Sequence, residues 1–397
     1  MSDWVARHVQ ELPPSGLRRF FDLVSAMDDV VTLGVGEPDF ATPWLFCDAM
    51  VDALASGRTS YTRSAGIPPL TEAISGYLSS RYGVQYDPAT EILVTNGVSE
   101  ALDVVFRAVL NPGQTAAIVE PCYVAYPACV LLAGGRLIRV ETRASDGFAL
   151  DPDALEAALT PDTKVLLLCY PNNPTGAVMT REQMMPIAEM AVRRDLLVIS
   201  DEVYDQLVYG DHQHVCFASL PGMRERTVVL NGFSKSYAMT GLRLGYAAGP
   251  REIIEAMVKI HQYVALCPSV IAQYGALEAL RNGDGEAERM RTQYSRRRPY
   301  LHRALNEIGL PCFEPKGAFY CFPSIEWTGL SSEQFATRLL TEERVAVVPG
   351  TAFGTSGQGF VRTTYATSLD SIKLAVERIA QFLKRLRAEG ADGGAGP

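Results

Sequence analysis

The chain reads as an α/β protein, with a mainly parallel sheet in a large domain and a smaller α+β domain beside it. Three observations predict this. From Ile92 to Gly249, short apolar runs alternate with stretches of helical periodicity, the order that builds parallel strands joined by helices. A long helical stretch near 286–308 is followed by strand-like runs at 317–322, 345–350 and 359–366, outside that alternation. The residues best suited to chemistry stand in turns just after apolar runs, where open α/β sheets keep their ligand sites.

Composition narrows the function. The 397 residues suggest two or three domains, and 47% hydrophobic against 20% charged residues is an ordinary globular balance. The net charge is −9, and the densest basic run, Arg296–Arg298, suits a solvated helix face better than a nucleic-acid patch. No apolar stretch approaches the ~20 residues that span a bilayer, and the N-terminus has no signal-peptide core. The eight cysteines form no C-x-x-C pair and no metal-ligand spacing. Reduced thiols in a cytoplasmic protein are therefore expected, with no metal, nucleic acid or membrane partner.

Residues 1–45 read as an N-terminal arm and part of the small domain. Ser15 or Gly16 starts a helix on the spacing of Leu17, Phe20, Phe21 and Val24. Val30–Phe40 is a short strand ending in a turn, where Gly36 permits a close approach that a side chain would block. Residues 46–285 read as the large domain. Helices are expected at Trp44–Ala55 and up to about Tyr82, with Tyr61 between them. The strand Ile92–Thr95, the turn Asn96-Gly97-Val98 and the helix from Ser99 form an anion cradle of free backbone N–H groups. Further strands run to Val119, ahead of Tyr123; to Cys169, ahead of Asn173; and to Ser200, ahead of Asp201 and Tyr204. The Asn173–Pro174 bond is a candidate for the cis form. Residues 286–387 read as the small domain, and a Gly/Ala-rich tail at 388–397 as disordered.

Lys235 is the centre of this arrangement. It follows the strand Thr227–Leu230 in the stretch N-G-F-S-K-S-Y-A-M-T-G-L-R. Of the six lysines it alone stands among small hydroxyl and glycine residues. An amine there can reach the aldehyde of a phosphorylated cofactor, with Ser234 and Arg243 as phosphate partners. Asp201, at the end of a buried strand, needs a partner, and a protonated ring nitrogen is one. Tyr123 can stack on a ring, and Arg362 can grip a carboxylate. Each feature alone has a blander reading: loop lysine, helix cap, packing tyrosine, surface arginine.

The set, in this order over nearly the whole chain, resembles the class I/II aminotransferases of fold type I, which use pyridoxal 5'-phosphate (PLP). The resemblance implies a seven-stranded sheet, a small domain from both chain ends, and a ping-pong exchange of an amino group between an L-amino acid and a 2-oxo acid. 2-Oxoglutarate and glutamate are the expected second pair. It implies that Lys235 bonds PLP and then serves as general base. Asp201 would hold the ring nitrogen above Val203, and Asn173 and Tyr204 the phenolic oxygen. Gly97, Val98, Ser99, Ser234 and Arg243 would hold the phosphate, Tyr123 would stack on the ring, and Arg362, Gly36 and Asn173 would hold the substrate carboxylate. Tyr61 would reach the phosphate of the other subunit, so a homodimer with shared sites is expected.

One position departs from the pattern: Gly232 stands where many aspartate aminotransferases carry a phosphate-binding serine. S-G-L-R-R-F-F-D-L-V and H-Q-Y-V-A-L-C-P-S are similar to the bacterial subgroup of N-acetyl-diaminopimelate, aspartate and aromatic aminotransferases. A PLP-dependent C–S β-lyase or synthase on the same fold is the alternative. A non-catalytic regulator is disfavoured because the fold starts near residue 15, and a dinucleotide-binding protein because no G-x-G-x-x-G follows the first βα turn.

Overall fold

Alternation of apolar runs with helical stretches builds one central sheet. The computed structural model describes residues 4–10, 12, 24–25 and 27–393. Along the chain the strands of this sheet are β2 Ile92–Thr95, β3 Thr115–Glu120, β4 Arg136–Glu141, β5 Thr163–Cys169, β6 Leu197–Asp201, β7 Thr227–Gly232 and β8 Gly245–Ala248. Their spatial order is β2-β8-β7-β6-β5-β3-β4. Only β8 runs antiparallel to its neighbours; the other pairings are parallel. The expected mainly parallel seven-stranded sheet is therefore present.

The inner strands read as largely apolar runs because helices cover both faces, whereas the edge strand β4 carries Arg136, Arg139 and Glu141. In β5, Leu166 and Leu168 pack into one core cluster while Val165 and Leu167 enter the cluster on the opposite face. Burying each such leucine contributes about 1.5–3 kcal/mol. One crossover helix carries a capping box. Thr180 accepts from Gln183 N and the Gln183 side chain returns to Thr180 N, starting the helix Arg181–Arg193.

Two smaller sheets stand beside the large one. β1 (Val31–Thr32) pairs in parallel with β10 (Val345–Ala346), so both ends of the chain build this part of the molecule. β12 (Val361–Thr364) lies between β11 (Val348–Pro349) and β9 (Tyr320–Cys321), antiparallel to both. The run 317–322 yields only a two-residue strand, because Ala318 takes a left-handed φ of 56°. The helix Asp284–Ile308 leads into this region as predicted.

Two expectations end differently. The helix begun at Ser15 or Gly16 lies largely outside the described residues. Of the tail predicted to be disordered from about Ala388, the part up to Gly393 is instead the end of the helix Leu369–Gly393, where Glu389 pairs with Arg338 at 3.0 Å, and the rest lies outside the described residues. The Asn173–Pro174 peptide is cis.

Candidate active site

The parallel strands β2, β3, β5, β6 and β7 point their carboxyl ends at one edge, and the turns that follow them converge there. They enclose a pocket of about 350 Å³. Lys235, after β7, lines it, and its Nζ donates to Gly36 O at 2.6 Å. Burial pushes the amine down to about 8, with Arg362 and Arg243 pushing the same way against the acids Glu37 and Asp201. Asp201, the last residue of β6, is 5% exposed. Tyr126 Oη donates to its Oδ2 at 2.7 Å and Val203 N to its Oδ1 at 3.2 Å. Burial nevertheless lifts its carboxyl to about 6.

One end of the pocket is built from the turn after β2. Val98 and Ser99 line it at the start of the helix Gly97–Val109, with Ser234 and Arg243 across from them. Gly97 has φ 77°, and a Cβ there would lie 2.5 Å from Arg243 Nη2. The left-handed φ is what favours glycine here, and a Cβ would in addition press on the end of the Arg243 side chain. Arg243 is exposed, has φ 50°, and donates from Nη1 to Thr240 O at 3.0 Å.

The other end is built by the small three-stranded sheet. Arg362, on β12, is buried; its Nη1 donates to Asn173 Oδ1 at 2.9 Å and its Nη2 to Gly34 O at 2.7 Å. Its guanidinium lies over the rings of Tyr320, 4.3 Å from the centroid, and Phe353, at 4.8 Å. A Cβ on Gly36 would meet Tyr320 Oη at 2.8 Å, which bears out the close approach expected of this glycine. Tyr204 Oη lies 2.9 Å from Tyr320 Oη, and Tyr123 lines the wall with its ring edge-on to Tyr126. Tyr61 stands apart, 84% exposed and outside this pocket.

Six lining residues escape the sequence reading: the apolar Val35 and Leu102, and the polar Glu37, Tyr126, Thr240 and Tyr320. Tyr126 carried a faint signal, since it follows Tyr123 at helical spacing at the start of the helix Ala125–Leu132. Tyr320 carried none, being one aromatic in an apolar strand. Among the described residues no group of three or more His, Cys, Asp or Glu side chains is arranged to hold a metal ion.

The sequence pattern of aminotransferase class I and II matches residues 28–379. The chain belongs to that family. This aminotransferase is 50% identical over 385 residues to YugH of Bacillus subtilis (strain 168), covering 97% of this chain and 100% of that one. It is 44% identical to the aspartate aminotransferase of Pyrococcus abyssi (strain GE5 / Orsay), covering 94% and 96% of the two chains. The solved structure of the aromatic aminotransferase from Pyrococcus horikoshii OT3 matches with a TM-score of 0.89 at 44% identity, over 94% of this chain and 99% of that one. The aminotransferase uses PLP and moves an amino group between an L-amino acid and a 2-oxo acid.

Proposed function

We propose that the pocket around Lys235 is where this aminotransferase holds PLP and its substrates, with 2-oxoglutarate and glutamate as one substrate pair. The donor set fits the cofactor. The turn at Gly97, Val98 and Ser99, with Ser234 and Arg243, suits the phosphate. Asp201 suits the ring nitrogen, Tyr123 the ring face, and the Asn173 amide nitrogen and Tyr204 hydroxyl the phenolic oxygen. When bound, PLP supplies a sink for the electron pair released at the substrate's Cα.

The protein's own groups do the rest. Lys235 Nζ, with a pKa of about 8, is neutral in a usable fraction near physiological pH and takes the Cα proton. The Asp201 carboxylate keeps the facing nitrogen protonated. Arg362, with Gly36 and Asn173, orients the substrate carboxylate. Tyr61 serves the site of a second copy. Its exposure, and that of the apolar residues Trp44, Val51 and Leu54, supports a homodimer. The net charge of −9 and the eight free cysteines support a cytoplasmic enzyme.

One observation carries the reading: a single pocket holds an amine of lowered pKa, a buried acid of raised pKa and a buried arginine. Borohydride reduction of the PLP-loaded protein, followed by peptide mass analysis, is expected to find the pyridoxyl group on Lys235. Label on another lysine sinks the assignment. A panel of aspartate, aromatic and other donors with 2-oxoglutarate is expected to yield glutamate. Pyruvate released without any acceptor would point to the β-lyase instead.

A further inference from the structure

Glu100 lies in the first turn of the helix Gly97–Val109, beside the backbone turn assigned above to a phosphate dianion. A carboxylate so near an anion is unfavourable unless its charge is engaged elsewhere. Its Oε2 accepts from Asn96 N at 2.6 Å and from Asn96 Nδ2 at 3.0 Å, and its Oε1 lies 2.8 Å from His261 Nδ1. Glu100 does not line the pocket. His261, on the helix Arg251–Val264, is fully buried, and its Nε2 has no hydrogen-bond partner among the described residues. The hydrogen bond this ring makes in the interior is thus to the carboxylate. From the other side, Thr95 Oγ1 donates to Gly97 O at 2.9 Å. The turn is clamped at both ends, although Gly97 itself would be conformationally free in an open loop.

We propose that Glu100 and His261 are positioning residues that set the affinity of the site for the phosphate of its cofactor, by fixing the turn Asn96–Ser99. The inference rests on the reading that this turn holds the PLP phosphate. A turn ordered before binding costs less to order at binding, and its N–H groups are already aimed. The effect therefore follows the phosphate and not the aldehyde or the ring.

The test compares PLP with pyridoxal, which lacks the phosphate, on full-length protein stripped of cofactor. Binding is read by absorbance. Glu100→Ala and His261→Phe are expected to weaken PLP binding by about tenfold, the size of one lost charge-assisted hydrogen bond, and to leave pyridoxal binding unchanged. Glu100→Gln, which keeps an acceptor for Asn96 N, is expected to recover part of the loss. Should Glu100→Ala fail to fold, the other two variants carry the comparison. Equal weakening of both ligands, or of neither, overturns the inference. Arg243→Ala separates the two levels. If it discriminates PLP from pyridoxal while the Glu100 and His261 variants do not, the clamp alone is refuted. If Arg243→Ala fails to discriminate as well, the phosphate reading falls with it.

Discussion

Two arginines face one pocket, and they are held in opposite ways. Arg362 is buried, gripped by Asn173 Oδ1 and Gly34 O, and enclosed between the rings of Tyr320 and Phe353. Those two acceptors carry no full charge, so its positive charge is solvated by the protein but not neutralised. Arg243 is exposed, sits in a left-handed conformation, and makes one hydrogen bond to Thr240 O. Under the proposed assignment, the difference accounts for how the two ends select ligands. A rigid buried guanidinium is a specificity device for a planar carboxylate that comes and goes. An exposed one beside a helix N-terminus adds attraction to a phosphate that the backbone already favours.

The contrast can be broken at its strong end first. Arg362→Lys is expected to lower kcat/KM for the amino donor by roughly 10²- to 10³-fold, since losing a buried bidentate contact costs about 3–4 kcal/mol. PLP affinity should hardly move. A variant that lost PLP affinity and substrate affinity together would refute the division of labour. Next in size is Arg243→Ala, expected to raise the PLP dissociation constant by roughly ten- to a hundredfold and to leave the donor's KM near its original value at saturating PLP. Asn173→Ala should follow, at about tenfold in kcat/KM, because it removes an acceptor that fixes Arg362. Steady-state kinetics over a PLP titration reads all three.

The same contrast explains what the sequence made legible. Lys235, Asp201 and Asn173 were legible because each stands at, or within a few residues of, the carboxyl end of a buried strand, and the chain direction alone brings those ends together. The turn at Gly97 was legible for the same reason. The burial of Arg362 was not. Its two-ring enclosure depends on Phe353 and Tyr320 arriving from separate strands and loops, and local pattern records no such meeting. Tyr126 was missed because a tyrosine three residues past another reads equally well as packing; only its 2.7 Å bond to Asp201 distinguishes it. The start of the C-terminal tail, up to Gly393, was misread for a related reason. Gly and Ala argue against a packed core, but the ion pair of Glu389 with Arg338 lies across helices.

The smallest effect sharpens the comparison most, because it sets both arginines against one amine. Burial holds Lys235 at about 8, below its ordinary 10.5, and both arginines add to the depression. The unfolded chain binds this proton more tightly, so between about pH 8 and 10.5 the group's contribution to the stability of cofactor-free protein rises with pH. Reactivity toward an aldehyde needs the neutral amine, so the rate of capture of pyridoxal should climb as pH passes through about 8. Arg362→Gln removes a fixed cation and should move that midpoint upward. Arg243→Gln should move it upward less, because solvent screens an exposed charge more than a buried one. A larger shift from Arg243→Gln would mean that its charge is the better coupled of the two, and that exposure is the wrong measure of how each arginine acts on the amine.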